Sequence, residues 1–286
     1  MKTMKFKSMA NVAAILGTVL ISTPAMTAMA APTTPASTAS SDVTLELTAP
    51  GSDDKQTSKD PTTGEEGTDK DDNGNTLVPG TKPTDNAGPL TINGVPRFEF
   101  GKIAFSGSKQ TVKAIFHEYD KNGNMILNED KTPKKVEGAA RKPSLQVSDL
   151  RGTGAGWNVT ASLSAITNQT SGSTDKLTSP QLSFAASKTI GTNGVQKEAS
   201  TSASVAAPTL TTPIVLNVDD ESNTQTKTVF NAAAHDEGKD PSTGAGLGQW
   251  FANFDPDSIT LAVYPGATAG QYKGTVTWNL SSGPAA

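Results

Sequence analysis

Cysteine is absent from this chain of 286 residues. Neither disulfides nor thiolate chemistry can therefore support its fold or its function. Histidine is nearly absent: His117 and His235 are the only two, too few for a His-rich metal site. Aromatic residues make up 5% of the chain, and 28 acidic residues outnumber 24 basic ones. A weakly aromatic, acidic chain has no electrostatic footprint for nucleic acid or for an anionic membrane. Long apolar runs are missing too. The longest stretch, from Ala10 to Leu20, is shorter than the roughly 20 residues that span a bilayer. No window sustains a 3.6-residue apolar period, so an amphipathic helix is nowhere indicated. There is no tandem repeat, no Ser/His or Cys/His arrangement, and no spacing that marks a pair of catalytic carboxylates.

What is present begins with a leader. Lys2, Lys5 and Lys7 precede the short apolar run, and Ala28-Met29-Ala30 offers small residues for cleavage before Ala31. Residues 1–30 thus read as a signal peptide. Its removal leaves 21 basic and 28 acidic residues, a formal charge of −7. An exported domain without disulfides must stabilise itself by burying apolar area, for which some 200 ordered residues suffice. After Leu280 come Ser-Ser-Gly-Pro-Ala-Ala, with no Leu-Pro-x-Thr-Gly sorting signal and no apolar tail. The expectation is that any hold on the cell is non-covalent, without membrane insertion.

Residues 31–41 are Thr, Ser, Ala and Pro and are expected to be disordered. Val43, Leu45 and Leu47 then alternate with polar residues, predicting a first strand over 43–48. From 50 to 88 the chain is rich in Gly, Pro, Thr and acids, and predicts a flexible loop, because it holds too little apolar surface to offset its ordering entropy. The main body, 89–286, is expected to be all-β. Candidate strands are Phe98–Phe105, Val112–Phe116, Ser144–Val147, Trp157–Ala165, Leu182–Ala185, Ile214–Val218, Thr226–Phe230, Ser258–Tyr264 and Tyr272–Leu280. Gly, Pro, Asn or Asp fill nearly every gap, and Lys121-Asn-Gly-Asn124 reads as a hairpin turn. Many short strands with such punctuation predict a single β-sandwich, Ig-like or barrel-like.

Two triplets stand out: Trp157-Asn158-Val159, and Trp278-Asn279-Leu280 near the end of the chain. Each sits in an extended block. The first is Gln146-Val-Ser-Asp-Leu-Arg-Gly-Thr-Gly-Ala-Gly-Trp157-Asn-Val-Thr160. The second is Tyr264-Pro-Gly-Ala-Thr-Ala-Gly-Gln-Tyr272-Lys-Gly-Thr-Val-Thr-Trp278-Asn-Leu-Ser-Ser-Gly-Pro284. In wording and order these resemble the proximal and closing motifs of the WxL-domain surface proteins of low-GC Gram-positive bacteria. Val159 departs from the namesake Leu, a change that is conservative in size. The resemblance covers nearly the whole mature chain, making 42–286 one WxL domain that includes the first strand. It implies non-covalent attachment to peptidoglycan, with Trp157, Asn158, Val159, Trp278, Asn279 and Leu280 as the attachment residues. It further implies wall-anchored or WxL-associated proteins as partners, and no cofactor.

Residue physics alone permits a different reading of the same triplets. In a strand, residues i and i+2 share a face, so Trp157, Val159, Ala161 and Leu163 align, as do Val276, Trp278 and Leu280. That alternation suits core tryptophans that help close the sandwich. Alternatively, the indoles could stack on sugar rings, or buried indoles could shape a face whose polar neighbours make the contacts. Trp250, in Gly246-Leu-Gly-Gln-Trp-Phe-Ala-Asn-Phe254, is expected in the core.

Other motifs read blandly. Gly152-Thr-Gly-Ala-Gly156 precedes a strand rather than a helix, so it is a turn and not a phosphate loop. Asp69-Lys-Asp71-Asp-Asn73-Gly74-Asn75 copies half a calcium loop but has Gly80 where the bidentate Glu belongs. A solvated turn is expected there, with weak calcium binding as the alternative. His235-Asp236-Glu237 reads as an exposed loop. The function expected is a secreted, wall-associated binding protein and not an enzyme. An adhesin for host matrix or mucin and a wall-glycan hydrolase are the competing readings.

Overall fold

The computed structural model describes residues 44–191, 207–219, 223–235 and 246–285. Residues 1–30, expected to be a leader, and residues 31–41 lie outside them. By internal contacts the chain divides into Met1–Thr48 and Ala49–Ala286. In the first unit the described residues 44–48 form no strand, and Leu45 and Leu47 are 80% and 87% exposed. The predicted first strand is therefore not formed over 44–48. Three alternating apolar residues give a strand pattern but no partner, and an isolated strand has nowhere to place its hydrogen bonds.

The second unit is all-β. Its first strands are β1 (Thr81–Pro83), β2 (Leu90–Pro96), β3 (Gln110–Lys113), β4 (Ser144–Asp149), β5 (Trp157–Leu163) and β6 (Thr167–Asn168). Then come β7 (Gln181–Phe184), β8 (Ala186–Gly191), β9 (Thr209–Leu210), β10 (Ile214–Asp219) and β11 (Asn223–Thr224). The series ends with β12 (Lys227–Ala232), β13 (Gly248–Phe254), β14 (Thr260–Val263), β15 (Tyr272–Lys273) and β16 (Val276–Ser282). They make three larger sheets, ordered β1-β2-β4-β13-β8, β11-β10-β7-β14-β3 and β16-β5-β12-β9, plus the pair β15-β6. All remain open rather than closing into a barrel. One buried cluster draws on all three larger sheets, including Leu145, Val147, Trp157, Val159, Phe184, Leu216, Phe230, Trp250 and Phe254. No helix among the described residues is long and apolar enough to cross a membrane.

Most predicted strands are present with shifted ends, and three differences have clear causes. Residues 97–109 form no strand, although Phe98 packs on Phe184 with ring centroids 5.3 Å apart. Gly101 takes φ +65°, a left-handed conformation that breaks extended pairing. β2 went unpredicted because Asn93, Gly94 and Pro96 look like turn residues. Gly94 instead sits at a register shift against β4, where a bulge favours glycine. β13 lacks the alternation of a half-buried strand because it is covered on both sides.

The largest correction concerns 50–88. This segment is not a free loop. Lys59 gives its N–H to Gln146 Oε1 (3.0 Å) and takes Gln146 Nε2–H on its carbonyl (2.9 Å). Thr57 O accepts from Gln249 Nε2 (3.2 Å), and Pro61 O from Asn253 Nδ2 (2.9 Å). Lys142 Nζ lies 2.6 Å from the Asp60 carboxylate. β4 is buried along its whole length: Leu145 and Val147 face the core, and Ser144, Gln146 and Ser148 face the covering segment. An apolar count misses this, because side-chain amides contributed from β4 and β13 satisfy the segment's backbone, with Pro61 and Phe251 also buried.

Candidate functional site

The two Trp triplets, distant in sequence, lie on adjacent antiparallel strands. β16 pairs with β5 in a register that sets Trp278 opposite Ala161, Asn279 opposite Thr160, Leu280 opposite Val159 and Ser282 opposite Trp157. β12 flanks β5 on its other side. The motif residues are thus brought together, but their side chains divide between two faces.

The inner face is core. Trp157 and Val159 are fully buried. The Trp157 indole meets Phe230 edge-on at 4.9 Å and donates Nε1–H to Gly246 O at 2.9 Å. Trp250, buried as expected, donates to the next carbonyl, Leu247 O, also at 2.9 Å. Gly246 takes φ +75°, and a Cβ there would lie 2.5 Å from Trp157 Nε1. Only glycine fits over the indole. Trp278 and Leu280 are half-buried, with Trp278 tilted against Phe184 at 6.2 Å. Neither the Trp157 nor the Val159 side chain has surface to offer a ligand.

The extended part of the first motif has a structural task. Arg151 donates Nε–H and Nη2–H to the two oxygens of buried Asp149, each at 2.8 Å. The same guanidinium reaches Gly156 O at 2.7 Å and the Ser282 hydroxyl. This planar fork ties the β4–β5 turn to the end of β16. Gly152, Gly154 and Gly156 all take positive φ, which makes this stretch the turn that was expected. At Gly156 a Cβ would lie 2.5 Å from Ala232 O.

The outer face is polar and uncharged. Thr277 lies beside Ser162, Asn279 beside Thr160, and Ser281 beside Asn158. On β12, Thr228 continues the Thr160 row and Asn231 the Asn158 row. Asn158 Nδ2 donates to Gly283 O (3.1 Å), and Asn231 Oδ1 accepts from Ala285 N (2.6 Å). The last residues therefore lie across one end of the face. Thr277 and Asn279 remain exposed, with Thr160 and Ser162 partly so. Motif reasoning picked out Asn158 and Asn279. Thr160, Thr277 and Ser162 lie on the same face outside the triplets, marked in the sequence by their alternation with the apolar residues.

Elsewhere His235 is half-buried rather than exposed. It gives its backbone N–H to Gly154 O (2.6 Å), while its Nδ1 is buried without a partner among the described residues. The groups around Glu99 and Asp71 are engaged. Glu99 pairs with His117 Nδ1 at 2.6 Å and accepts from Tyr119 O–H. Burial and that carboxylate together push the Tyr119 phenol up. Arg97 stacks 3.6 Å over its ring. Asp71 turns its carboxylate onto the N–H groups of Asn73 and Asn75, both at 2.9 Å. Among the described residues no three His, Asp or Glu side chains converge as metal ligands. Asp236 and Glu237 lie outside those residues.

No curated protein and no solved structure matches the chain. A family model described as "WxL domain surface cell wall-binding" matches residues 14–284. Carrying both motifs on paired strands and matched over nearly its whole length, the chain belongs to the WxL family of cell-wall-binding surface domains.

Proposed function

We propose that this protein is exported, loses its leader before Ala31, and adsorbs non-covalently to peptidoglycan through the uncharged face of the β16-β5-β12 sheet. One observation carries the reading: in a wall-binding domain, the two family motifs meet to form an exposed row of hydroxyls and amides without a charge. Such groups exchange hydrogen bonds with the hydroxyl and acetamido groups of a neutral glycan backbone. They give no Coulombic pull on a polyanion. Asn158, Asn279, Thr160 and Thr277 supply the contacts. Trp157, Val159 and Trp278 keep the sheet in shape beneath them, and Leu280 adds to that support. A shallow face without a deep cleft binds each repeat weakly, and a polymeric ligand compensates by offering many repeats. The role is adhesion and not catalysis, as one component of a surface assembly with other wall-held proteins.

Co-sedimentation of the purified chain from Ala31 with peptidoglycan tests this, comparing intact sacculi with sacculi stripped of teichoic acid. The expected result is equal retention on both, little changed by salt, with no sugar released. Retention that requires the teichoic acid and vanishes at high salt would overturn the proposal. So would release of soluble fragments.

A further inference from the structure

β16 closes one end of its sheet: β5 lies on one side, and no described strand lies on the other. Which backbone groups are left over follows from the hydrogen-bond phase. Ser164 N–H donates to Thr275 O (2.9 Å), and Gly283 N–H donates to Gly156 O (3.0 Å). In an antiparallel ladder the hydrogen-bonded pairs recur at every second residue. Thr277, Asn279 and Ser281 therefore turn their backbone toward β5, while Val276, Trp278, Leu280 and Ser282 turn theirs outward. No described backbone group accepts from or donates to that outward row.

Exposed edges in native proteins are normally blunted by lysine, proline, a bulge or an inward charge. The sequence Val-Thr-Trp-Asn-Leu-Ser-Ser has none of these, and its pairing to β5 runs without a register shift. The same edge leaves Trp278 and Leu280 half-exposed although both pack against the core. Among the described residues, this unprotected edge beside uncovered apolar surface lacks one more strand.

We propose that the missing strand is β16 of a second copy of this chain, antiparallel about a two-fold axis at Asn279. The strand is its own complement. Outward-facing residues must meet outward-facing residues, and the register of greatest overlap sets Val276 opposite Ser282 and Trp278 opposite Leu280. It then covers each Trp278 with the partner copy's Leu280. A strand without charge meets itself with no like-charge penalty. The contact is small, so the dimer is weak in solution, and crowding on a wall polymer strengthens it. This inference does not rest on the wall-binding proposal, since it uses the edge of the sheet and not its face.

The absence of cysteine makes the test clean. In this register the two Asn279 residues form a non-hydrogen-bonded pair with Cα atoms about 4.5 Å apart, within disulfide range. Two copies of Ser281 lie roughly 14 Å apart along the strands, but Ser281 of one faces Thr277 of the other. Purified Asn279→Cys, Ser281→Cys and Thr277→Cys chains are oxidised with copper–phenanthroline, alone and mixed. The expected result is a predominant disulfide dimer for Asn279→Cys alone. Ser281→Cys and Thr277→Cys should dimerise only when mixed, with at least a tenfold excess over either alone. Equal cross-linking of all three, or none with a monomer by sedimentation velocity at about 100 μM, would overturn the proposal. Peptidoglycan retention of the wild type is read separately, so failure here leaves that result standing.

Discussion

Two polar sheet faces of this molecule carry the same kind of chemistry and meet different fates. On β2, β4 and β13, Asn93, Gln146, Gln249 and Asn253 face outward, and an extended stretch of the chain's own backbone, around residues 57–61, lies across them. On β16, β5 and β12, hydroxyls and amides face outward and, among the described residues, the stretch from Gly283 to Ala285 lies over one end. The covered face shows a row of side-chain amides satisfying the backbone of an extended polar chain, with Phe251 buried among them. The open face presents similar groups to solvent. Substitutions on the first should register as lost stability, and on the second as lost binding.

The sharpest break in the molecule lies beneath the open face. Replacing Trp157 by Ala removes a fully buried indole and leaves a cavity, at a cost of about 3–5 kcal/mol. Trp278→Ala, at a half-exposed edge, should cost well under half of that. Urea denaturation of the two variants compares them directly, and equal costs would contradict the division into core and edge. Gly246→Ala should follow, destabilising by about 1–3 kcal/mol through left-handed strain and collision with the Trp157 indole. Its urea midpoint should fall with an unchanged slope.

On the covered face, Gln146→Ala strands the Lys59 N–H and carbonyl, a loss of about 1–3 kcal/mol. Amide hydrogen exchange should then rise selectively over 57–61. A smaller effect concerns acid. Burial pulls the Asp60 pKa up, but the Lys142 ammonium and the Thr62 and Thr63 amides outweigh it and hold the carboxyl below its ordinary value. A depressed carboxylate stabilises the fold above its unfolded pKa and loses that contribution as pH falls through the folded value. The wild type should lose stability relative to Asp60→Asn as pH drops below about 4, by under about 1 kcal/mol because the pair is partly exposed. Urea midpoints across pH check this.

The contrast between the faces also shows what the sequence could reveal. Period-two alternation in Trp157–Ala165 and Tyr272–Leu280 identified both strands, with ends shifted to Trp157–Leu163 and Val276–Ser282 in the structure, and separated the core side from the polar side. It could not show that the strands pair, since register comes from tertiary contacts. Alternation failed at β13, where both faces are covered and Gln249 is a buried polar residue with a backbone partner, while β4 was legible over Ser144–Val147 although it too is buried throughout. Composition misled over 50–88, whose order depends on amides contributed from β4 and β13. The exposed apolar pair Leu45 and Leu47 made the opposite error, offering a strand pattern without a partner.

Peptidoglycan co-sedimentation of Trp157→Phe beside the double variant Thr160→Ala/Asn279→Ala tests the central claim most directly. Trp157→Phe keeps most of the buried volume but loses the hydrogen bond to Gly246, so it should be less stable yet bind like the wild type while folded. The double variant should unfold within about 0.5 kcal/mol of the wild type and lose most of its retention on peptidoglycan. The reverse pattern, with binding lost in folded Trp157→Phe and kept in the double variant, would contradict the claim that the polar face carries the binding and the tryptophan only supports it.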